Sequence, residues 1–426
     1  MSVPHRICGH ILRYSGNPFL EGWSSCVHVE EDSALLIDNG QIVAVGTAAK
    51  AAEARETRYD NHLICPGFVD AHVHYPQTAI IASWGKRLID WLSSYTFPEE
   101  ARFGDADYAG EIAGRYCDLV SAHGTTSFAS YCTIHPVSVD AIFAAAEARG
   151  MAVVAGKTCM DRNAPDALRD TAQSAYDDSK ALLTRWHGRG RARYAITPRF
   201  APTSTPEQLD AMGALWTEYP DVVMQTHLSE QLDEIAWVQR LFPEARDYLD
   251  VYARFGLLGA RGIYGHAIHL TDRERATLAE VNAGLAHCPT SNTFIGSGLF
   301  DLVGLARTGQ RVGLATDTGG GSSFSMLRTM AAAYEVAQLR GAAVHAAELL
   351  WLATEGSAQV LHRSDEIGRI ETGRVADLAV LDLASTPAIA QRSARAEDIW
   401  DAVFPTIMMG DDRAIAATYV AGRQVV

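Results

Sequence analysis

Two histidines one residue apart, His72 and His74, close an apolar run that begins at Cys65. In an extended strand residues i and i+2 project from one face, so both imidazoles can offer a nitrogen to a single point. Imidazole is a common zinc ligand and zinc takes about four ligands in tetrahedral array, so the pair needs partners from further along the chain. Three later apolar segments supply them. Residues 222–229 carry His227, with Glu230 three positions beyond it; residues 262–268 carry His266; residues 312–318 carry Asp317. A lone histidine on an apolar face is more often a satisfied core residue than a ligand. Recurrence at the ends of successive segments reverses that preference, because such ends converge on one mouth.

The chemistry accounts for each residue type. Neutral imidazoles and a carboxylate can hold a divalent metal while leaving one position open for water, as a catalytic site requires. A metal held this way lowers the pKa of its water from ~15.7 towards ~7. Asp317, in an otherwise apolar segment, can both ligate and take the water's proton. Glu230, offset from His227, suits proton transfer to a substrate as general acid and base. His266 can either ligate or hydrogen-bond the water and polarise the substrate.

The scaffold that brings these residues together follows from the alternation of short apolar runs with amphipathic stretches. Eight runs are present, at 65–74, 125–133, 152–160, 194–200, 222–229, 262–268, 284–290 and 312–318, with helices predicted over 141–148, 206–216 and 273–281. This is the βα signature of a parallel sheet, and eight strands over ~250–300 residues suit a (β/α)8 TIM barrel. An open doubly wound sheet has the same periodicity. The barrel is favoured because the polar residues fall at the C-terminal ends of the runs, where barrel enzymes keep their catalytic groups. Outside this region lie short strands and tight turns. Residues 33–38 and 41–46 flank Asn39-Gly40, a type I′ hairpin signal, and a similar texture returns at 368–381 and 417–426. The expected fold is therefore α/β, a TIM barrel over 65–367 with a small β-sandwich domain assembled from 1–64 and 368–426.

Composition narrows the function. At 426 residues, 48% hydrophobic and 20% charged, the chain exceeds what one core usually supports. It contains no apolar run of ~18 residues, and Arg6, His10, Arg13 and Pro18 interrupt the N-terminus where a signal peptide needs an apolar core, so a soluble cytoplasmic protein is expected. Seven scattered cysteines with no C-x-x-C argue for reduced thiols. A net charge of −15 disfavours nucleic-acid and membrane partners and suits a neutral or cationic small molecule.

Other patterns compete for attention. His28-Val29-Glu30 has the H-x-E half of a second zinc-deaminase signature, but no P-C-x-x-C follows, so it reads as strand. Gly319-Gly320-Gly321-Ser322-Ser323 lacks the G-K-[ST] ending of a P-loop and reads as a turn lining the site. His123, His135, His187, His269, His287, His345 and His362 read as structural or surface residues. Residues 80–95, with Trp84 and Trp91, suit either a cover or a packed helix.

Pro66-Gly67-Phe68-Val69-Asp70-Ala71-His72-Val73-His74, Thr226-His227, Gly265-His266, Thr316-Asp317 and the tail from Gly368 to Asp377 resemble the amidohydrolase superfamily along essentially the whole chain. The resemblance implies a metal-dependent hydrolase on a (β/α)8 barrel. His74-Tyr75-Pro76-Gln77-Thr78, Trp91 to Glu99, Thr197-Pro198-Arg199-Phe200, Thr226 to Glu230, His287 to Asn292 and Gly410 to Arg413 are similar to the guanine-deaminating members. That similarity implies one zinc per chain on His72, His74, His227 and Asp317, with Glu230 and Asp317 as proton carriers. It also implies guanine bound by Gln77, Arg199 and Phe200 and faced by His227, Glu230, His266 and Asp317, in a homodimer. Arginine is a good donor to guanine O6, and phenylalanine offers an apolar surface to a flat heterocycle.

Overall fold

Strands from both chain ends join in one mixed sheet in the computed structural model, which describes residues 3–50, 53–84 and 88–426. The N-terminal members are β1 (His5–Tyr14), β2 (Val27–Asp38), β3 (Gln41–Val45) and β4 (Arg55–Pro66). Asn39 and Gly40 have φ of 49° and 81°, the paired positive angles of the expected tight turn, and Asp38 lies opposite Gln41. His28 and Glu30 lie on β2, where Glu30 accepts from Arg13 at 2.7 Å.

The next nine strands build the barrel: β5 (Phe68–His74), β6 (Thr125–Tyr131), β7 (Ala152–Gly156), β8 (Thr158–Cys159), β9 (Ala192–Pro198), β10 (Val223–Leu228), β11 (Gly262–His266), β12 (Gly284–His287) and β13 (Arg311–Leu314). All but the short β8, which pairs with β9 off the path, run in the order β5-β6-β7-β9-β10-β11-β12-β13. Every residue of β5, β6, β7, β10, β11 and β12 is buried, as strands covered on both faces require. Closure comes at the site end, where Asp317 N donates to His72 O (2.9 Å) and His74 N to Thr318 O (3.2 Å). The carboxylate of Asp70 reinforces the seam by accepting from Thr316 N at 3.0 Å and Thr316 Oγ1 at 2.5 Å.

The predicted helices are present at Pro136–Arg149, Pro206–Glu218 and Asp272–Glu280. Thr205 caps the second, while Thr271 and Glu274 form a capping box on the third. The strand boundaries are sharper than the apolar runs. Cys65 and Pro66 complete β4 instead of starting the barrel, and Gly67 makes the passage, its N–H donating to Asp377 O at 2.8 Å. A Cβ at Gly67 would meet Thr126 Oγ1 at 2.3 Å, so the crossing has no room for a side chain.

The chain ends in β14 (Leu378–Asp382), β15 (Ile415–Val420) and β16 (Arg423–Gln424). β14 pairs antiparallel with β4, which gives the sheet order β16-β15-β14-β4-β1-β2-β3. Hydrogen bonding thus joins the strands of the small β domain into a single sheet of seven. Strand alternation gives it two apolar faces: Ile64, Leu378 and Val380 share a core with Ile7 and Leu35, whereas Leu63, Cys65, Ala379 and Leu381 merge with the outer core of the barrel. Between β14 and β15 the helix Ile399–Met409 leaves the sheet and packs on Met326–Leu339, with Tyr334 edge-on to Phe404 at 5.0 Å. All seven cysteines are free and buried. Among the described residues no helix is long and apolar enough to cross a membrane.

Candidate active site

His72 and His74 leave β5 on one face, as their spacing requires. His74 Nε2 lies 3.1 Å from His227 Nε2, at the end of β10. Asp317 Oδ1 is 3.4 Å from His72 Nε2 and 3.5 Å from His74 Nε2. Two ligands on a tetrahedral zinc with bonds of about 2.05 Å stand about 3.3 Å apart, so these separations are those of a shared ion. The donor chemistry also fits. Burial pushes His72 down and His74 and His227 well down from the usual histidine range, keeping the imidazoles neutral with lone pairs available. His72 Nε2 has no hydrogen-bond partner among the described residues although it is buried. Burial raises the Asp317 carboxyl, but the close approach of His72 and the charge of His266 outweigh it and hold the group at about 2.

The supporting contacts fix ring orientation. His227 Nδ1 faces the backbone carbonyl of Arg199 at 2.7 Å, and a carbonyl only accepts, so the proton sits on Nδ1 and Nε2 is left for a metal. Tyr131, at the end of β6, packs within 4.7–4.8 Å of the His72, His74 and His227 rings. Gly265 lies against His72 so closely that a Cβ would come within 2.8 Å of the ring. His72, His266 and Cys288 form a second close group, but burial holds the Cys288 thiol well above its usual range, so it remains a neutral, poor ligand.

His266 stands beside the donor set. Its Nδ1 is 2.8 Å from Asn292 Oδ1, while Nε2 is 3.6 Å from Glu230 Oε2 and 3.9 Å from Asp317 Oδ2. Burial lowers its pKa, yet the two carboxylates raise it further than burial lowers it, which favours imidazolium. Burial raises Glu230; His266 opposes this and Asp317 adds to it, and the net direction is upward from the usual glutamate value. Ser297 Oγ donates to Glu230 Oε1 at 2.7 Å, which leaves Oε2 as the oxygen facing His266. Ser229, His266 and Asp317 adopt φ of 49°, 65° and 49°, conformations that non-glycine residues hold only under surrounding constraint. These bends re-aim the chain at the strand ends, where the chemistry is concentrated.

Arg199 and Phe200 follow β9, and Gln77 lies in the turn Tyr75–Ile80 after β5. All three line one pocket with His74, His227, Glu230, His266 and Asp317. Gly320 lines it as well, in agreement with the turn reading of the glycine run. Every candidate named from sequence therefore borders this cavity except His72, which reaches it through its neighbours Asp317 and His74. Leu88–Trp91 and the π-helical turn Leu92–Thr96 bring Trp91 and Leu92 into the lining, whereas Trp84 is 74% exposed. Residues 85–87 within this stretch lie outside the described residues.

Sequence reasoning missed Tyr131, Glu100, Ser297 and the individual role of Asn292. Glu100 accepts from Gln77 Nε2 at 2.8 Å and from Arg199 Nη1 at 2.7 Å, joining the two polar pocket residues. In sequence it is one of two adjacent glutamates with nothing to distinguish it from Glu99. Of the histidines set aside, His269 bonds Ser297 O at 2.8 Å, and His287 stacks on Phe300 at 4.5 Å with neither ring nitrogen partnered among the described residues.

Residues 63–425 match the Amidohydrolase family. The guanine deaminase of Escherichia coli (strain K12) is 43% identical over 97% of this chain and 95% of its own length. A solved structure of E. coli guanine deaminase superposes with a TM-score of 0.96 at 42% identity, covering 99% of both chains. That of C. acetobutylicum guanine deaminase, with guanine in its active site, gives 0.90 at 28% identity over 99% of this chain and 100% of that one. This chain belongs to the amidohydrolase family.

Proposed function

We propose that the protein is a zinc-dependent guanine deaminase, which hydrolyses guanine to xanthine and ammonia. The observation that carries the reading is the meeting of two things in one cavity: four donors linked by separations of 3.1–3.5 Å, and a polar pair, Gln77 and Arg199, beside the apolar ring of Phe200. The similarity to guanine deaminases over nearly the full chain, one of them solved with guanine bound, supports the same substrate.

His72, His74, His227 and Asp317 hold the metal in this reading. Zinc bound there would supply an acidified water as nucleophile. The chain's own residues manage the protons. Asp317 has one oxygen towards the histidines and the other towards His266, so one can bind metal while Oδ2 takes the proton of the attacking water. Glu230 Oε2 delivers a proton to the ring nitrogen next to the carbon under attack, which makes that carbon a better electrophile for the water oxygen. The amino group takes the water proton held by Asp317 and leaves as ammonia, while the hydroxyl on the same carbon returns its proton to Glu230 and becomes the carbonyl of xanthine. His266 stays between the carboxylates and hydrogen-bonds the water. Arg199 donates to O6, and Phe200 and Trp91 provide apolar contact for the ring.

The same reading includes a cytoplasmic homodimer acting in purine catabolism, and a β domain of residues 1–64 and 368–426 around a barrel of 65–367. A substrate panel tests its centre. Ammonia release should be at least a hundredfold faster from guanine than from adenine, a pterin or an aminotriazine; preference for one of those rings would replace guanine as the substrate.

A further inference from the structure

Glu100 is fully buried at the end of the helical turn Phe97–Glu100, and it spans the two polar residues that face the substrate. Its Oε2 accepts from Arg199 Nη1 at 2.7 Å, and its Oε1 accepts from Gln77 Nε2 at 2.8 Å. Arginine is always charged in proteins, so its buried partner serves as a carboxylate, which only accepts. The group that Gln77 turns towards Glu100 must therefore be its NH2. The orientation of the amide follows: Oε1 points the other way, buried and without a hydrogen-bond partner among the described residues. Gly319 makes room for it, since a Cβ there would stand 2.0 Å from Gln77 Oε1. A buried acceptor left unpaired is costly, so the position is set up for a donor that arrives with a ligand.

We propose that Glu100 is a positioning residue that determines substrate specificity, by locking Gln77 as an acceptor beside the donor Arg199. The inference rests on the guanine reading above. A pocket with an acceptor next to a donor selects a ring edge that presents N–H next to C=O, a cyclic lactam. Guanine has this edge at N1–H and O6. In 2,6-diaminopurine the reacting carbon and its amino group are the same, but the edge is reversed. An amino group then meets the arginine donor, and a ring nitrogen lone pair meets the glutamine oxygen. Two like groups oppose each other at both positions, and buried mismatches of this kind exclude a ligand far more strongly than a missing methylene does.

Glu100→Gln tests the inference in the metal-loaded enzyme. The new amide can donate to Gln77 Oε1, which frees Gln77 to turn its NH2 into the pocket. The kcat/KM for guanine should fall about 10- to 100-fold, chiefly through KM, while that for 2,6-diaminopurine holds or rises, with zinc content unchanged. Equal loss on both purines would overturn the proposal, because a structural role lowers both alike. In a Gln77→Ala background the change in selectivity should disappear; its persistence would also overturn it. Should Glu100→Gln fail to fold, inhibition of the wild-type enzyme decides. Hypoxanthine, which keeps the lactam edge, should inhibit at least tenfold more strongly than 2-aminopurine, which lacks it, and equal inhibition would refute the polarity. Wild-type turnover separates the two levels: absence of guanine deamination refutes the underlying reading, whereas guanine turnover with unaltered selectivity in the variant refutes only the role of Glu100.

Discussion

Glu230→Gln removes a proton donor while leaving the shape of the site almost intact. The amide oxygen can take the place of Oε1 and keep the hydrogen bond from Ser297, which is 2.7 Å long in the wild type. Its NH2 then replaces Oε2, 3.6 Å from His266 Nε2, and an amide has no acidic proton to pass to the ring. General acid–base catalysis contributes about 10²- to 10⁴-fold, so kcat should drop by that factor, or about 2.7–5.4 kcal/mol at 1.36 kcal/mol per decade. Two quantities should barely move. Zinc content should remain at one per chain, because Glu230 is outside the set His72, His74, His227 and Asp317, and KM should change less than tenfold, because Arg199 and Gln77 are untouched. Coupled ammonia detection gives the rates, and elemental analysis of the same samples gives the metal. Near-native turnover by a fully loaded variant would refute the proton-transfer role of Glu230; loss of zinc together with activity would show instead that this carboxylate belongs to the metal site.

Three further outcomes follow from particular contacts. Dialysis against a strong chelator should abolish activity and lower the melting temperature, with both restored by zinc; at zinc 1,000-fold above its Kd the stabilisation is about 4 kcal/mol, and an unchanged melt would contradict the donor assignment. Gly265→Ala places a methyl 2.8 Å from the His72 ring and should weaken zinc binding about 10- to 100-fold in a competition titration, while a native affinity would show that the ring can yield without consequence. His287, held down to about 3 by burial and by the charge of His266, must become protonated when the acidified protein unfolds. Its folded pKa lies below the unfolded value of about 6.5, so its contribution is complete above pH 6.5 and is lost as pH falls towards 3, about 2 kcal/mol of it by pH 5. His287→Leu should therefore flatten the fall in melting temperature between pH 7 and pH 5, and an unaltered slope would assign acid sensitivity elsewhere.

The parts legible in sequence are those governed by local rules. His72 and His74 are recognisable because strand periodicity is two, and the eight barrel runs because strands buried on both faces are continuously apolar. The hairpin at Asn39-Gly40 is legible because only certain residues hold two positive φ angles. The runs nevertheless extend past the strands: β13 ends at Leu314 while its run continues to Thr318, since the loop that carries Asp317 is itself buried under the pocket. The boundary at Pro66 was hidden for a related reason, as β4 and β5 are both buried where they meet at Gly67. Glu100, Ser297 and Asn292 were not legible as individual contributors. Each acts through a partner 23 to 99 positions away in the chain, and no spacing rule connects a glutamate in a helical turn with Gln77 and Arg199.

The account stands most directly on one time course: enzyme with one zinc per chain incubated with guanine, with guanine, xanthine and ammonia followed together. The prediction is loss of guanine matched one-to-one by xanthine and by ammonia, at a rate proportional to bound zinc. Guanine left intact by the fully zinc-loaded protein would contradict it.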